Sequence, residues 1–234
     1  MENKKTIIAI IILTILIIGL AVVGYLFNDF NTKQINLLTE ESNKILESNI
    51  AKDNIDFEIK TDRNYAIVEK SIKEYISKLK NIYVEMNEMT EGINPNIIFT
   101  ADNMQDKNLD EISNIINEYK EKSQKCISEY ENLITEQQII ENINKRNISI
   151  RRDYYTQLYN EVMLGDAMKS KCASLEEKVK NQKAELYDKL NKIEKIKKFL
   201  EEYEDSWTIK DNKIQFTNLN KMTEYYSLLN QLID

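Results

Sequence analysis

Three hydrophobic rhythms run along the chain, and each predicts a different kind of element. The first is unbroken: from Thr6 to Phe27 no charged residue interrupts a run dominated by Ile, Leu, Val and Ala. At 1.5 Å per residue such a run makes a helix about 33 Å long, close to the thickness of a bilayer's hydrocarbon core. A cleaved secretory signal has a shorter apolar run, about 7–15 residues, ending at a small-x-small site. Here Gly19-Leu20-Ala21 and Ala21-Val22-Val23 lie inside the block, and its exit, Tyr25-Leu26-Phe27, is bulky. The pattern predicts a tip over residues 1–5 and one retained transmembrane helix over 6–27, held in the lipid bilayer. Lys4, Lys5 and the terminal amine outweigh Glu2 on the leading side, whereas the far flank presents Asp29 before Lys33. That bias predicts a single-pass protein of the cell membrane with a cytoplasmic N-terminus and an extracytoplasmic C-terminal domain.

The second rhythm has the spacing of helices packed along a seam. Residues 28–60 carry Ile35, Leu38, Ile45 and Ile59, interrupted by Ser42, Asn49 and Asp53-Asn54; they read as a membrane-proximal helix with a break near Lys52–Ile55. Val68, Ile72, Tyr75, Leu79, Ile82, Met86 and Met89 follow at steps of four and three, which predicts a helix over about 62–91. Gly92 suits a left-handed cap and Pro95 disfavours helix at Asn94, so residues 92–106 form a loop returning Ile97, Ile98 and Phe99 to the core. Leu109, Ile112, Ile116, Tyr119, Cys126, Tyr130 and Ile140 predict a helix over 106–146. Leu158, Val162, Cys172, Leu175, Val179, Leu186, Leu190, Ile193 and Leu200 predict another over 150–204. Capping residues place a tight reversal near Asn147–Ser149. The alternative is a single rod over 105–203, about 150 Å long. Ser123, Gln137, Gly165 and Gln182 fall in these seams, which favours a bundle over a uniform coiled coil.

The third rhythm is alternation. Trp207, Ile209, Ile214 and Phe216 flank Asp211-Asn212 and predict a short β-hairpin near 206–216. Leu219, Met222, Tyr226, Leu229 and Ile233 then share one face of a C-terminal lid helix, capped by Thr217 or Asn218. The expected fold is all-α: an N-terminal transmembrane helix, an elongated antiparallel helical bundle over 61–205, and a hairpin with a lid helix over 206–234.

Composition sharpens this picture. There are four Gly and one Pro in 234 residues, too few turn residues for a sheet-rich or loop-rich enzyme. The net charge is −7, and the leading end, two Lys against one Glu, contributes +1, which leaves −8 beyond it. That excludes a nucleic-acid binder, which needs a basic face to displace counterions. Histidine is absent, which removes the commonest neutral-pH base and metal ligand together with every triad built on imidazole. No glycine-rich phosphate loop or calcium loop is present. Adjacent carboxylates such as Glu40-Glu41, Glu176-Glu177 and Glu201-Glu202 read as solvated helix faces. No catalytic, cofactor-binding or metal-binding residue set emerges, and no cofactor is expected.

Two local features remain. Cys126 and Cys172 occupy seam positions symmetric about residue 149, so a hairpin turning there sets them at one height. They either form a disulfide, contributing about 4 kcal/mol on the chain-entropy account, or sit as buried reduced thiols. Lys145, Arg146, Arg151 and Arg152, with Tyr155 beside them, make a basic tip at the same turn, suited to an anionic cell-wall polymer or to cation–aromatic contacts within the fold. The function expected is non-enzymatic: an extracytoplasmic scaffold, an envelope or secretion assembly subunit, or a surface-binding protein completed by a protein partner or self-association. The alternatives are a sensor domain signalling through a separate partner, and an enzyme built on carboxylates and tyrosines.

Overall fold

A computed structural model describes residues 2–133, 135–146, 152–211 and 213–233. It is an all-α bundle of eight helices among the described residues, with one two-stranded hairpin near the C-terminus. The helices are α1 (Glu2–Glu47), α2 (Arg63–Gly92), α3 (Pro95–Ile98), α4 (Asp110–Glu131), α5 (Glu136–Arg146), α6 (Arg152–Leu158), α7 (Asp166–Glu202) and α8 (Leu219–Ile233). The strands are β1 (Trp207–Lys210) and β2 (Lys213–Phe216). Residues group into two compact units: 1–49, 53–74 and 135–169 form the first, and 50–52, 75–134 and 170–234 the second.

The first unit is organised on α1. Its side chains from Ile12 to Asp29 are exposed all round, and this is the one helix among the described residues long and apolar enough to cross a membrane. Beyond Phe27 the character changes without a break in the helix. Phe30 and Asn31 are half-buried, and Gln34, Leu38, Glu41, Ser42 and Ile45 form a buried stripe at helical spacing. Buried with that stripe in the first unit are Tyr65, Val68 and Ile72 of α2, Ile139 and Ile143 of α5, and Leu158, Tyr159 and Met163. The membrane-proximal helix ends earlier than its sequence pattern suggests. Ser48 donates to the Ile45 carbonyl at 2.8 Å, and Asp53 closes a turn on the Asn49 amide at 2.6 Å. Residues 54–62 then run as a strap without regular structure.

Two breaks divide helices that hydrophobic periodicity alone reads as continuous. At Asn132 the side chain turns back onto the Ser128 carbonyl at 2.8 Å, ending α4. Thr135 and Gln138 then cap each other reciprocally, the Thr135 amide to Gln138 Oε1 at 2.8 Å and the Gln138 amide to Thr135 Oγ1 at 3.3 Å, which starts α5. The second break is a π turn over Tyr159–Met163, closed by the Leu164 amide on the Tyr159 carbonyl at 2.7 Å. Ser42 of α1 donates to the Val162 carbonyl in this widened turn at 2.8 Å. The reversal expected at Asn147–Ser149 lies outside the described residues.

In the second unit, Ile76, Leu79, Ile82, Met86 and Met89 of α2 and Leu175, Val179, Leu186, Leu190, Ile193, Ile196 and Leu200 of α7 make the core, with Ile112 and Ile116 of α4. The stop after α2 falls where expected, but Gly92 does not take the left-handed conformation; no glycine has positive φ. Space is tight at Gly92: a Cβ there would stand 2.8 Å from the Tyr119 hydroxyl, and that ring would have to move aside. Pro95 opens α3, with Asn94 Oδ1 accepting the Asn96 amide at 2.9 Å.

The hairpin pairs Trp207 with Phe216 and Lys210 with Lys213, and the turn uses Asp211 at φ 52°. Trp207 is fully buried and its indole N–H reaches the Leu200 carbonyl at 2.9 Å, so the hairpin is pinned to the end of α7. Asn218 caps α8, its Oδ1 accepting the Asn220 amide at 2.8 Å. The buried face of α8 is rotated by one residue from the expected one: Tyr225 and Leu232 are buried, whereas Leu219 and Tyr226 are exposed. Tyr225 wins the inward position because its ring joins an aromatic cluster with Phe216 at 5.2 Å and Phe199 at 6.4 Å.

Candidate functional site

The strap of the first unit has neither helix nor sheet to take up its backbone polar groups, and two side chains of α2 do so instead. Glu69 accepts the Lys60 amide at 3.0 Å, the Thr61 amide at 2.9 Å and the Thr61 hydroxyl at 2.7 Å. One turn later, Lys73 donates to the Glu58 carbonyl at 2.7 Å. Its ammonium also lies 2.6 Å from Glu69 Oε1 and 2.6 Å from Glu41 Oε2. Lys44 reaches Glu41 from the solvent side at 2.7 Å. Lys73 is 1% exposed, Glu69 0% and Glu41 3%, so this ionic cluster lies inside the fold.

An ammonium has three donors. All three on Lys73 are taken, one by the strap and two by carboxylates, and the Glu69 oxygens are occupied by the strap as well as by Lys73. Burial acts to raise the Glu41 pKa, but the hydrogen bonds from Lys44 and Lys73 outweigh it and hold the carboxyl below its ordinary value. Glu41 is therefore an anion at neutral pH. A cluster with its donors spent has no group ready to exchange a proton with a substrate; its chemistry is that of a clamp joining α1, α2 and the strap. Neither Lys73 nor Glu69 stands out in the sequence, and the adjacent Glu40 makes Glu41 look like half of a solvated pair. A possible signal was the four-residue spacing of Glu69 and Lys73 beside Ile72 on a face that also carries Tyr65, Val68 and Ile76.

Beside the clamp is a cleft of about 240 Å³ bordered by Glu41, Lys44, Ile45, Ser48 and Asp56, smaller than the roughly 300–1,000 Å³ of typical small-molecule sites. The second unit has an open cleft of about 430 Å³ lined by Glu85, Glu88, Met89, Tyr119, Lys122 and Cys126. Its charges are mixed, and Cys126 Sγ is turned to Glu85 at 3.0 Å. Among the described residues no three His, Cys, Asp or Glu side chains converge as a metal site.

The structure holds Cys126 and Cys172 as free, buried thiols. Burial pushes the Cys126 thiol up to about 12, with Glu85 adding to it, and burial likewise pushes Cys172 up to about 12 beside Glu176. The hydroxyl of Tyr75, also raised by burial, donates to Glu176 at 2.5 Å.

Of the basic tip, Lys145 is exposed in the last turn of α5, Arg146 ends that helix, Arg152 begins α6, and Arg151 lies outside the described residues. Tyr155 does not stand at the surface with them. It is buried edge-on against Tyr65 and Tyr154, each at 5.3 Å between ring centroids, because α6 turns its apolar face into the core of the first unit. Among the tyrosines that long seams would offer to a partner, Tyr187 is exposed while Tyr83, Tyr119 and Tyr130 are half-buried. The chain matches no protein-family model, no curated protein and no solved structure.

Replacing Lys73 with Met removes the cation that two buried carboxylates share and is expected to cost about 3–5 kcal/mol at neutral pH. The pH dependence should also flatten. In the natural chain the lowered Glu41 pKa contributes stability that is present above the ordinary Glu range and is lost as pH falls through the folded value. In Lys73→Met only Lys44 is left to hold the Glu41 pKa down, so less stability is lost on acidification than in the natural chain. Denaturant midpoints across a pH series, read by circular dichroism on the detergent-solubilised chain, check both slopes; parallel slopes contradict the clamp.

The thiols give a second expectation. Without reductant, the native chain should react very slowly with a thiol reagent at about pH 8, where buried thiols of this kind are almost wholly protonated. Denaturation should release both cysteines to the reagent. A count of zero in denaturant would show that the pair is oxidised.

Proposed function

We propose that the chain is a single-pass membrane protein whose helical body works by binding rather than catalysis. In this reading it is an extracytoplasmic scaffold or a subunit of an envelope or secretion assembly. The observation that supports it is the continuity of α1. The same helix that exposes Ile12 to Phe27 all round buries Gln34, Leu38, Glu41, Ser42 and Ile45 in the first unit. An apolar surface of that length exposed to water would be strongly unfavourable, and lipid removes the penalty. A body joined to its span by an unbroken helix is held at a fixed height above the bilayer, which suits a part that positions something else. The closed ionic clamp and the mixed-charge cleft offer no set of poised groups for chemistry. The Lys4 and Lys5 bias supports placing the body outside.

Two fractionations test this. The chain should remain in the membrane pellet after an alkaline carbonate wash. Protease added to intact cells should remove the body and leave a short protected fragment containing α1's apolar turns. Release by carbonate would contradict the span; a body that resists protease until the cells are lysed would contradict the orientation.

A further inference from the structure

The structure places the basic tip relative to the apolar segment, something the sequence could not do. The Asn31 side chain on α1 accepts from the Tyr65 hydroxyl at 2.9 Å, and that hydroxyl lies 3.3 Å from the hydroxyl of Tyr154. Farther along α1, Ser42 bonds the Val162 carbonyl at 2.8 Å. Residues 154 to 162 therefore run parallel to α1, and the start of α6 is the end nearer the apolar turns. The end of α5 lies there too, since Thr156 donates to Asn144 at 2.9 Å. Asn31 is four residues past Phe27, which is about 6 Å of helix rise. The headgroup layer on one face of a bilayer is about 5–8 Å deep, so this level falls within reach of lipid phosphates.

What gathers at this level is basic and aromatic. Arg63 is exposed and its guanidinium lies 4.8 Å from the ring centre of Phe30. Lys145 is 74% exposed on its side chain and only 3.9 Å, a loose distance, from its helix neighbour Glu141. Arg146 and Arg152 occupy the two helix ends at the same level. Of the acidic residues near this level, Asp29 is paired with Lys33 at 3.0 Å, and Asp62 and Asp153 are fewer than the basic residues they accompany. Tyr65, Tyr154 and Tyr155 form an edge-to-face cluster directly behind, inside the fold, which fixes α6 at this level.

We propose that Arg63, Lys145 and the helix ends bearing Arg146 and Arg152 form a basic collar that contacts phosphates of anionic lipid headgroups in the bilayer crossed by α1. The inference rests on the spanning reading, because the span is what brings the collar to that depth. It replaces a soluble or wall-bound polymer with the membrane itself as the partner of the tip. The net charge of −7 is no obstacle, since the attraction acts within a Debye length, about 8–10 Å, of the surface. The collar acts as a stop: the apolar turns fix depth from inside, and the cations fix it at the surface.

The test uses the full chain in detergent, offered equimolar phosphatidylglycerol and phosphatidylcholine, with retained lipids counted by native mass spectrometry. The expected result is a preference for phosphatidylglycerol of about fivefold or more. Changing Arg63, Lys145, Arg146 and Arg152 together to Gln should bring it close to parity while both lipids are still retained. Raising salt to about 0.5 M should erode the preference of the unmodified chain, a readout that does not depend on the variant's folding. Parity in the unmodified chain, or a preference unchanged in the variant, overturns the collar. So does variant-sensitive retention of added inorganic polyphosphate without any lipid preference, which would point to a polymer. A chain that retains neither lipid and stays in the aqueous phase overturns the span as well.

Discussion

A helix that leaves lipid must change what it presents to its surroundings within a turn or two, and α1 does so between Phe27 and Gln34. On one side of that boundary every described side chain from Ile12 faces outward. On the other, a stripe from Gln34 to Ile45 is buried and tied to α2 and the π turn. Backbone hydrogen bonds continue across the change, so no hinge separates anchor from body. The proposals about height, partner and membrane contact all depend on that unbroken stretch.

Polar side chains close the boundary. Gln34 takes the Asp62 amide at 2.7 Å, Ser42 takes the Val162 carbonyl, and Glu41 meets Lys73. Such buried polar contacts add little net stability over apolar packing, but each admits fewer geometries. Their effect is to fix the rotation and height of α1 against the first unit. A stripe of Leu and Ile would tolerate a slip along the helix; an ammonium shared between Glu41 and Glu69 would not. The strap depends on the same cluster, since its amides and the Glu58 carbonyl find their partners there.

The helical seams, the stop near Gly92 to Pro95 and the Trp207 hairpin were all legible in the sequence, because each is written in local spacing or turn chemistry. The breaks at Asn132 and at the π turn were not. Hydrophobic periodicity runs straight through both, and what ends the helix is a side chain folding back or one extra residue in a turn. The Thr135–Gln138 capping pair was a readable start signal that the longer periodic pattern overshadowed. The clamp was illegible for a different reason. A Glu and a Lys four apart on a helix are ordinary surface residues unless a separate segment covers them, and here that cover is a strap with no pattern of its own. The basic tip could be found by composition, but its level along α1 required the chain of contacts through Asn31, Tyr65 and Tyr154.

Backbone hydrogen exchange across residues 26–36 of the full chain in lipid nanodiscs tests the continuity of α1 most directly. The account predicts slow exchange at every amide from Leu26 to Asn36, with no fast window between the lipid-facing and the packed turns. Rapid exchange confined to Asn28–Lys33, flanked by protection on both sides, would reveal a hinge and contradict it.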